Sequence, residues 1–364
     1  MNNYEIFCCC CSDRLDIDEV HYMADQPYCS DCLDEVTTLC YECGTRIFNI
    51  DAVGGNTERP LCERCYDDHY TNCDSCGRLI SQVEAYYEDG DYALCPSCIR
   101  NGPLYSYSYK PQPIFYGDDS NLFIGVELEM DCGGRSRENA RRLTEIANAS
   151  EPLIYIKEDG SLDEGFEVVT MPLTLQYHLE HMPWRDLAKE ALYMGYLSHK
   201  AGTCGLHCHI NRTFFGNTYE EQERNISKVL FLVEKYWEEL LRFSRRTQGQ
   251  MDHWAARYGF KEHPEQVMDY AKNCGRGRYA CVNLQNEHTI EFRMWRGTLK
   301  YNTLIATLQM VERICKVAVF SWEEDLQNLS WWQFVRRIKE PELITYLKER
   351  QLYINEPVET EEEE

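Results

Sequence analysis

Six C-x-x-C pairs within the first 98 residues constrain the fold of this chain more than any other feature. They are Cys8/Cys11, Cys29/Cys32, Cys40/Cys43, Cys62/Cys65, Cys73/Cys76 and Cys95/Cys98. The gaps are 17, 18 and 18 residues within successive units and 7 and 7 between units, a repeat of 32 to 33 residues. Fourteen of the 20 cysteines lie here, spaced as metal knuckles rather than as a disulfide framework. Four thiolates per unit complete a tetrahedral zinc site with no open position, so three structural zinc ions are expected. Each unit is too small to fold by core burial alone, and metal binding would supply the folding energy. Cys8 to Cys11 are consecutive; the Cys8/Cys11 register matches the other units and leaves Cys9 and Cys10 spare.

A small residue and then Arg follow the first pair of each unit, as SDR, GTR and GR. An alternating stretch comes next, such as 80–94 with a turn at 88–91, and a second knuckle with a short helix closes the unit. These units resemble LIM-type and treble-clef zinc ribbons. The resemblance implies a protein or peptide partner by fold analogy alone; a purely scaffolding role is the alternative.

Charge narrows the partners. The 364 residues carry 61 Asp plus Glu against 37 Lys plus Arg, a formal net charge of −24. A phosphate backbone would be repelled by most of such a surface, which argues against nucleic acid despite the zinc modules. Hydrophobic content of 43% allows a substantial core. No apolar run is long enough to span a membrane, and the N-terminus MNNYEIFCCCC lacks the basic and apolar regions of a signal peptide. A cytoplasmic protein is expected.

Composition changes after Cys98. Residues 101–121 are rich in Pro, Gly, Tyr and Ser and read as an extended linker. A second domain is expected over 122–354, and an acidic, disordered tail over 355–364. Apolar periodicity predicts helices over 135–149, 173–195, 219–246 and 301–322, and one over 330–353 interrupted at Pro341. Long helices mixed with strands, without regular βαβ alternation, indicate an α+β fold with helices on one face of an antiparallel sheet.

Five segments, 123–131, 165–171, 205–211, 279–285 and 289–295, place chemically active side chains on alternate positions. A strand alternates its faces with a period of two. Glu127 and Glu129 therefore share a face, as do His207 and His209, and Glu291 and Arg293. The opposite faces carry Ile124, Val126, Leu128, Phe166, Val168, Leu206, Cys208, Ile290 and Phe292. If the strands share one sheet, one face is core and the other is a cup of carboxylates, imidazoles, an amide and a guanidinium, with no lysine. A solvated antiparallel face usually mixes Thr, Ser, Lys and Gln; crowded carboxylates repel one another unless cations lie between them. Cys208 would face away from the cup, and Cys204 reads as a packed thiol at its rim.

The order G-x-E-x-E (Gly125, Glu127, Glu129), D-G-S-L (Asp159 to Leu162), G-x-E (Gly165, Glu167), H-x-H (His207, His209), Tyr279 with Asn283, and E-x-R (Glu291, Arg293) resembles the amidoligases of the glutamine synthetase and glutamate–cysteine ligase superfamily. The resemblance covers about 122–322. It implies a glutamine-synthetase-like catalytic cup and ATP-dependent formation of an amide or peptide bond: ATP phosphorylates a carboxylate, and an amine attacks the acyl phosphate. Mg²⁺ or Mn²⁺ takes oxygen ligands, and Glu127, Glu129, Glu167 and Glu291 can hold two or three such ions. The carboxylates outnumber the histidines, which disfavours zinc at His207 and His209. His207 is assigned to metal or phosphate and His209 to substrate, with Asn283 beside them. Arg293 would stabilise charge on the phosphoryl group. Arg276 and Arg278, in the glycine-containing loop 273–278, would close over phosphates; an ordinary solvated turn is the alternative. The resemblance makes Asp159 a candidate to orient or deprotonate the amine, with a plain turn aspartate as the alternative. The expected substrates are a peptide or protein recruited by the zinc units and a small amine or amino acid. Competing readings are a metal-dependent phosphotransferase or hydrolase, and an interaction protein with an inactive cup.

Overall fold

The computed structural model describes residues 5–54, 58–88, 92–101 and 104–353. The turn expected at 88–91 lies outside them beyond residue 88, as does the tail expected at 355–364. The chain divides into two compact units, Met1–Arg100 and Asn101–Glu364.

The first unit repeats one local design three times. Each first knuckle sits in a short antiparallel hairpin: Ile6–Phe7 with Arg14–Leu15, Thr37–Leu39 with Arg46–Phe48, and Tyr70–Asn72 with Leu79–Ser81. The small residue after each pair has a positive φ, Ser12 at 66°, Gly44 at 71° and Gly77 at 68°. Its own N–H reaches back to the carbonyl of the first cysteine, at 2.9, 2.9 and 2.7 Å, and glycine takes the left-handed conformation there at no steric cost. Each second knuckle opens a short helix: Ser30–Val36, Glu63–His69 and Pro96–Asn101.

The second unit mixes helices with one sheet. Its strands are β1 (Ile124–Met130), β2 (Ile154–Lys157), β3 (Phe166–Thr170), β4 (Gly205–Asn211), β5 (Val282–Asn283) and β6 (Thr289–Arg296). They pair antiparallel in the order β2-β3-β1-β4-β6-β5. The stretch 279–285 contributes only Val282 and Asn283 as strand. Strand β2 was not among the five expected segments, and it brings Lys157 directly opposite Glu167. The lysine-free face expected from the sequence is therefore corrected: Lys157 is 6% exposed and belongs to it.

Helices α1 (Arg137–Ala147), α2 (Leu175–Glu180), α3 (Trp184–Tyr193), α4 (Tyr219–Lys235) and α5 (Trp237–Ser244) follow the apolar periodicity. So do α8 (Tyr301–Phe320), α10 (Trp331–Val335) and α11 (Pro341–Glu349). The helix expected over 173–195 breaks before Trp184, where Pro183 offers no N–H to the preceding turn. The one expected over 219–246 changes direction at Tyr236, whose ψ is 29°. Pro341 does not interrupt a helix; it opens α11 at the first position, where its missing N–H costs nothing. Helices α6 (Gln248–Trp254), α7 (Pro264–Asn273) and α9 (Glu323–Asn328) are additional.

The apolar sheet face is buried. Ile124, Val126, Leu206, Cys208, Ile210, Phe292 and Ile290 are fully covered, and Leu128, Met130 and Val168 share a lining with Leu143 of α1, Trp184 of α3 and Leu304 of α8. Full burial of each large aliphatic or aromatic side chain contributes about 2 kcal/mol. The segment 104–116 turns at 107–108 and is bonded to this unit: Tyr105 N–H donates to Ile156 O at 2.9 Å, and Tyr116 N–H to Pro172 O at 3.1 Å. Among the described residues no helix is long and apolar enough to cross a membrane.

Candidate functional site

The cysteines converge in three clusters: Cys8, Cys11, Cys29, Cys32; Cys40, Cys43, Cys62, Cys65; and Cys73, Cys76, Cys95, Cys98. In each, the four Sγ atoms lie within 4.8 Å of one another. The Cys11–Cys29, Cys43–Cys62 and Cys76–Cys95 sulfurs are each 3.9 Å apart, near the edge of about 3.8 Å in a tetrahedron with zinc–sulfur bonds of about 2.3 Å. Backbone N–H groups of Cys32, Cys65 and Cys98 donate to the sulfurs of Cys29, Cys62 and Cys95 at 3.4, 3.5 and 3.4 Å. One thiol per cluster is pushed far above its ordinary range, Cys32 by its neighbouring thiols and Cys65 and Cys98 first by burial. All four can ionise together only around a cation, which fits zinc-ribbon-like metal sites. Cys9 and Cys10 are exposed.

The other sheet face gathers charge because register places it there. Glu129 pairs with Glu167, Glu127 with His207, His209 with Glu291, and Asn283 with Glu291. Partners directly opposite in an antiparallel pair project to the same side. His207 Nδ1 lies 3.3 Å from Glu127 Oε2 and 3.7 Å from Glu291 Oε1, and its Nε2 is 3.7 Å from Glu129 Oε1. His209 Nε2 is 3.4 Å from Glu127 Oε1, and its Nδ1 is 3.3 Å from Thr289 Oγ1. Asn283 Nδ2 donates to Glu291 Oε2 at 2.8 Å, Asn286 Nδ2 to the same oxygen at 3.3 Å, and Arg293 to Glu291 Oε1. Gly205 N–H donates to Glu129 Oε2.

Two sets could each hold a cation. Glu127, His207 and Glu291 form one, and Glu129, Asp159 and Glu167 the other; in each, one donor atom per residue lies within 4.8 Å of the rest. Asp159 Oδ1 also accepts from Ser161 N–H at 2.6 Å. Lys157 Nζ stands between the sets, 2.8 Å from Glu167 Oε1 and 4.0 Å from Glu127 Oε1. The sequence signal for Lys157 was present in the Ile-Tyr-Ile-Lys alternation of 154–157, which is only four residues long.

Electrostatics divides the carboxylates. Burial pushes Glu127 up, but His209 and His207 outweigh it and hold it well below the usual range. Glu291 is likewise lowered against its burial, by His209 and His207. Burial, reinforced by Glu127, pushes Glu167 well above the usual range despite Lys157. Burial opposes charge on Lys157 and on His209, yet neighbouring carboxylates raise both.

The glycine-containing loop separates its two arginines. Arg278 Nη1 donates to Tyr107 Oη at 2.5 Å and its Nη2 to Tyr279 Oη at 3.2 Å. Lys157 Nζ lies 5.4 Å from the centre of the Tyr107 ring, so Tyr107 connects Arg278 to the charged face. Arg276 instead lines a cavity with Asp252, Ala256 and Tyr279. Cys208 is fully buried on the apolar side and Cys204 is 3% exposed.

Compared with known proteins, the chain matches no family model and no curated protein sequence.

Proposed function

We propose that the charged sheet face is the active site of an ATP-dependent carboxylate–amine ligase, as the resemblance to the amidoligases implies. The observation that carries this reading is the convergence of Glu127, His207 and Glu291 beside Glu129, Asp159 and Glu167 on one wall of an otherwise apolar sheet. Phosphoryl transfer needs mainly positioning and charge stabilisation, and these residues supply both. Two oxygen-rich donor sets suit divalent cations, which would neutralise the phosphates of ATP. The imidazole in the first set makes Mn²⁺ as suitable there as Mg²⁺.

In this reading ATP phosphorylates a substrate carboxylate, ADP leaves, and an amine attacks the acyl phosphate to release phosphate and the amide. Arg293 stabilises charge on the phosphoryl oxygens. Asn283 and Asn286 fix Glu291. Lys157 neutralises Glu167 and orders the wall between the donor sets. Asp159 takes a proton from the attacking ammonium, and His209 orients the acid. Arg278, held by Tyr107 and Tyr279, closes over the phosphates. The zinc units recruit a peptide or protein that carries one substrate group.

The test is ADP release from ATP with Mg²⁺ or Mn²⁺ across a panel of amino acids and peptides, beside Glu129→Ala. Turnover that needs both an acid and an amine, and is lost in Glu129→Ala, supports the ligase. ADP release at the same rate without amine would favour the phosphotransferase or hydrolase reading. Failure to bind nucleotide with millimolar divalent cation would leave an interaction protein.

A further inference from the structure

On this acidic chain, an open pocket in the same unit is lined mainly by arginines. It offers about 500 Å³ and takes Arg242, Arg245, Arg246, Arg296 and Arg350 from three parts of the chain. None of the five forms an ion pair with a carboxylate among the described residues, although such pairs occur elsewhere in the unit. Three of the five guanidinium groups are steered by backbone carbonyls instead. Arg296 donates to His199 O at 3.0 and 2.7 Å, Arg350 to Arg242 O at 3.0 and 3.0 Å, and Arg246 to Trp295 O at 3.3 Å. Arg245 ends helix α5 with φ 64°, a left-handed turn that lets three arginines within five residues share one opening. Among the described residues, Glu238 is the only acidic lining residue and Leu241 the only apolar one.

Five guanidinium groups facing one lining carboxylate are an excess of like charge, which a ligand or solvent must offset. Fixed guanidinium forks match oxyanions in paired, planar hydrogen bonds. His199, which also lines the pocket, is held down to about 4, by burial first and then by Arg245, Arg296 and Arg350. Its Nδ1 is buried without a partner. Among the described lining residues the only ring is the His199 imidazole, so the pocket suits a compact anion better than a nucleotide base.

We propose that this cavity binds a compact oxyanion carrying two or more phosphate or carboxylate groups, at a site separate from the carboxylate-lined sheet face. Arg246 links the two places. A Cβ added at Gly205 would lie 2.7 Å from Arg246 Nη2 and 2.6 Å from His207 Nε2, so both side chains reach over the same glycine. A bound anion therefore lies one residue from the charged sheet face.

The test is calorimetric titration of the zinc-loaded full chain with inorganic triphosphate, citrate and tetraglutamate, without nucleotide or added divalent cation. Zinc content is checked afterwards. One-site binding is expected for at least one anion, weakened about tenfold or more in Arg242→Gln and in Arg350→Gln, and weakened by added salt. Arg242 projects from an exposed helix position, so its variant should keep the wild-type thermal midpoint. Preference for triphosphate identifies a phosphorylated ligand, and preference for citrate or tetraglutamate a polycarboxylate. No saturable binding of any probe up to about 10 mM, or binding equal in wild type and both variants, overturns the proposal. Neither ATP nor amine enters the assay, so its outcome is independent of the ligase reading.

Discussion

Lys157 and Glu167 stand opposite each other on neighbouring strands, and their charged ends meet at 2.8 Å inside the protein. The lysine is 6% and the glutamate 2% exposed. Removing one partner of a buried pair leaves the other uncompensated. Lys157→Met should therefore destabilise the second unit by about 3 kcal/mol. The double variant Lys157→Met with Glu167→Gln should recover part of that loss, because the stranded carboxylate is gone. Denaturant unfolding of the three proteins, wild type included, measures this; a double variant no more stable than Lys157→Met would show that the pair is not the cause.

Gly205 separates folding from chemistry. Its missing Cβ leaves room for the ends of His207 and Arg246 at 2.6 and 2.7 Å. Both are side-chain tips, so Gly205→Ala should displace them at a stability cost of about 1 kcal/mol. ATP turnover should fall by about tenfold or more, since misplacing a positioned group is expensive in rate. Thermal unfolding and steady-state kinetics on the same preparation check both numbers.

The zinc units should hold three ions per chain by elemental analysis. Stripping them with a strong chelator should abolish the structure of Met1–Arg100, because clusters such as Cys40, Leu61 and Cys65 form only a small core of their own. The second unit has its own large core and should keep its helical circular dichroism and its cooperative unfolding. Loss of both units together on chelation would contradict this division.

Acid should weaken the second unit through His178. Its ring is fully buried, Nε2–H donates to Ile124 O at 2.9 Å, and burial holds its pKa down to about 4 against an ordinary 6.5. Above pH 6.5 both folded and unfolded forms are neutral there. Below it the unfolded chain takes up a proton that the folded chain refuses until about pH 4. Stability is thus full above pH 6.5 and declines by about 3 kcal/mol as pH falls through that window. His178→Gln, which keeps a donor for the carbonyl, should flatten that slope in denaturant titrations.

The four-cysteine clusters and most of the charged face were legible in the sequence for one reason. Ligand spacing in a knuckle and side-chain alternation in a strand are both local. Cys73/Cys76 with Cys95/Cys98, and Glu127 with Glu129, can be paired without knowing the fold. Lys157 was missed because β2 is a four-residue strand that sheet pairing alone defines. Alternation over 279–285 predicts strand at Tyr279, whereas sheet pairing there covers only Val282 and Asn283. The break at Tyr236 was hidden because the apolar stripe continues through Trp237 and Leu240 on both sides of it. The arginine cavity was illegible: Arg242, Arg296 and Arg350 come together only in the tertiary fold.

The ligase reading stands or falls on an activated carboxylate. The most direct measurement is hydroxamate formation when the zinc-loaded protein is given ATP, Mg²⁺ or Mn²⁺, hydroxylamine and a panel of amino acids and acidic peptides. The account predicts hydroxamate with one class of acid, one ADP per hydroxamate, and none with Glu291→Ala. Phosphate release that proceeds equally with no acid present, and yields no hydroxamate, would contradict it.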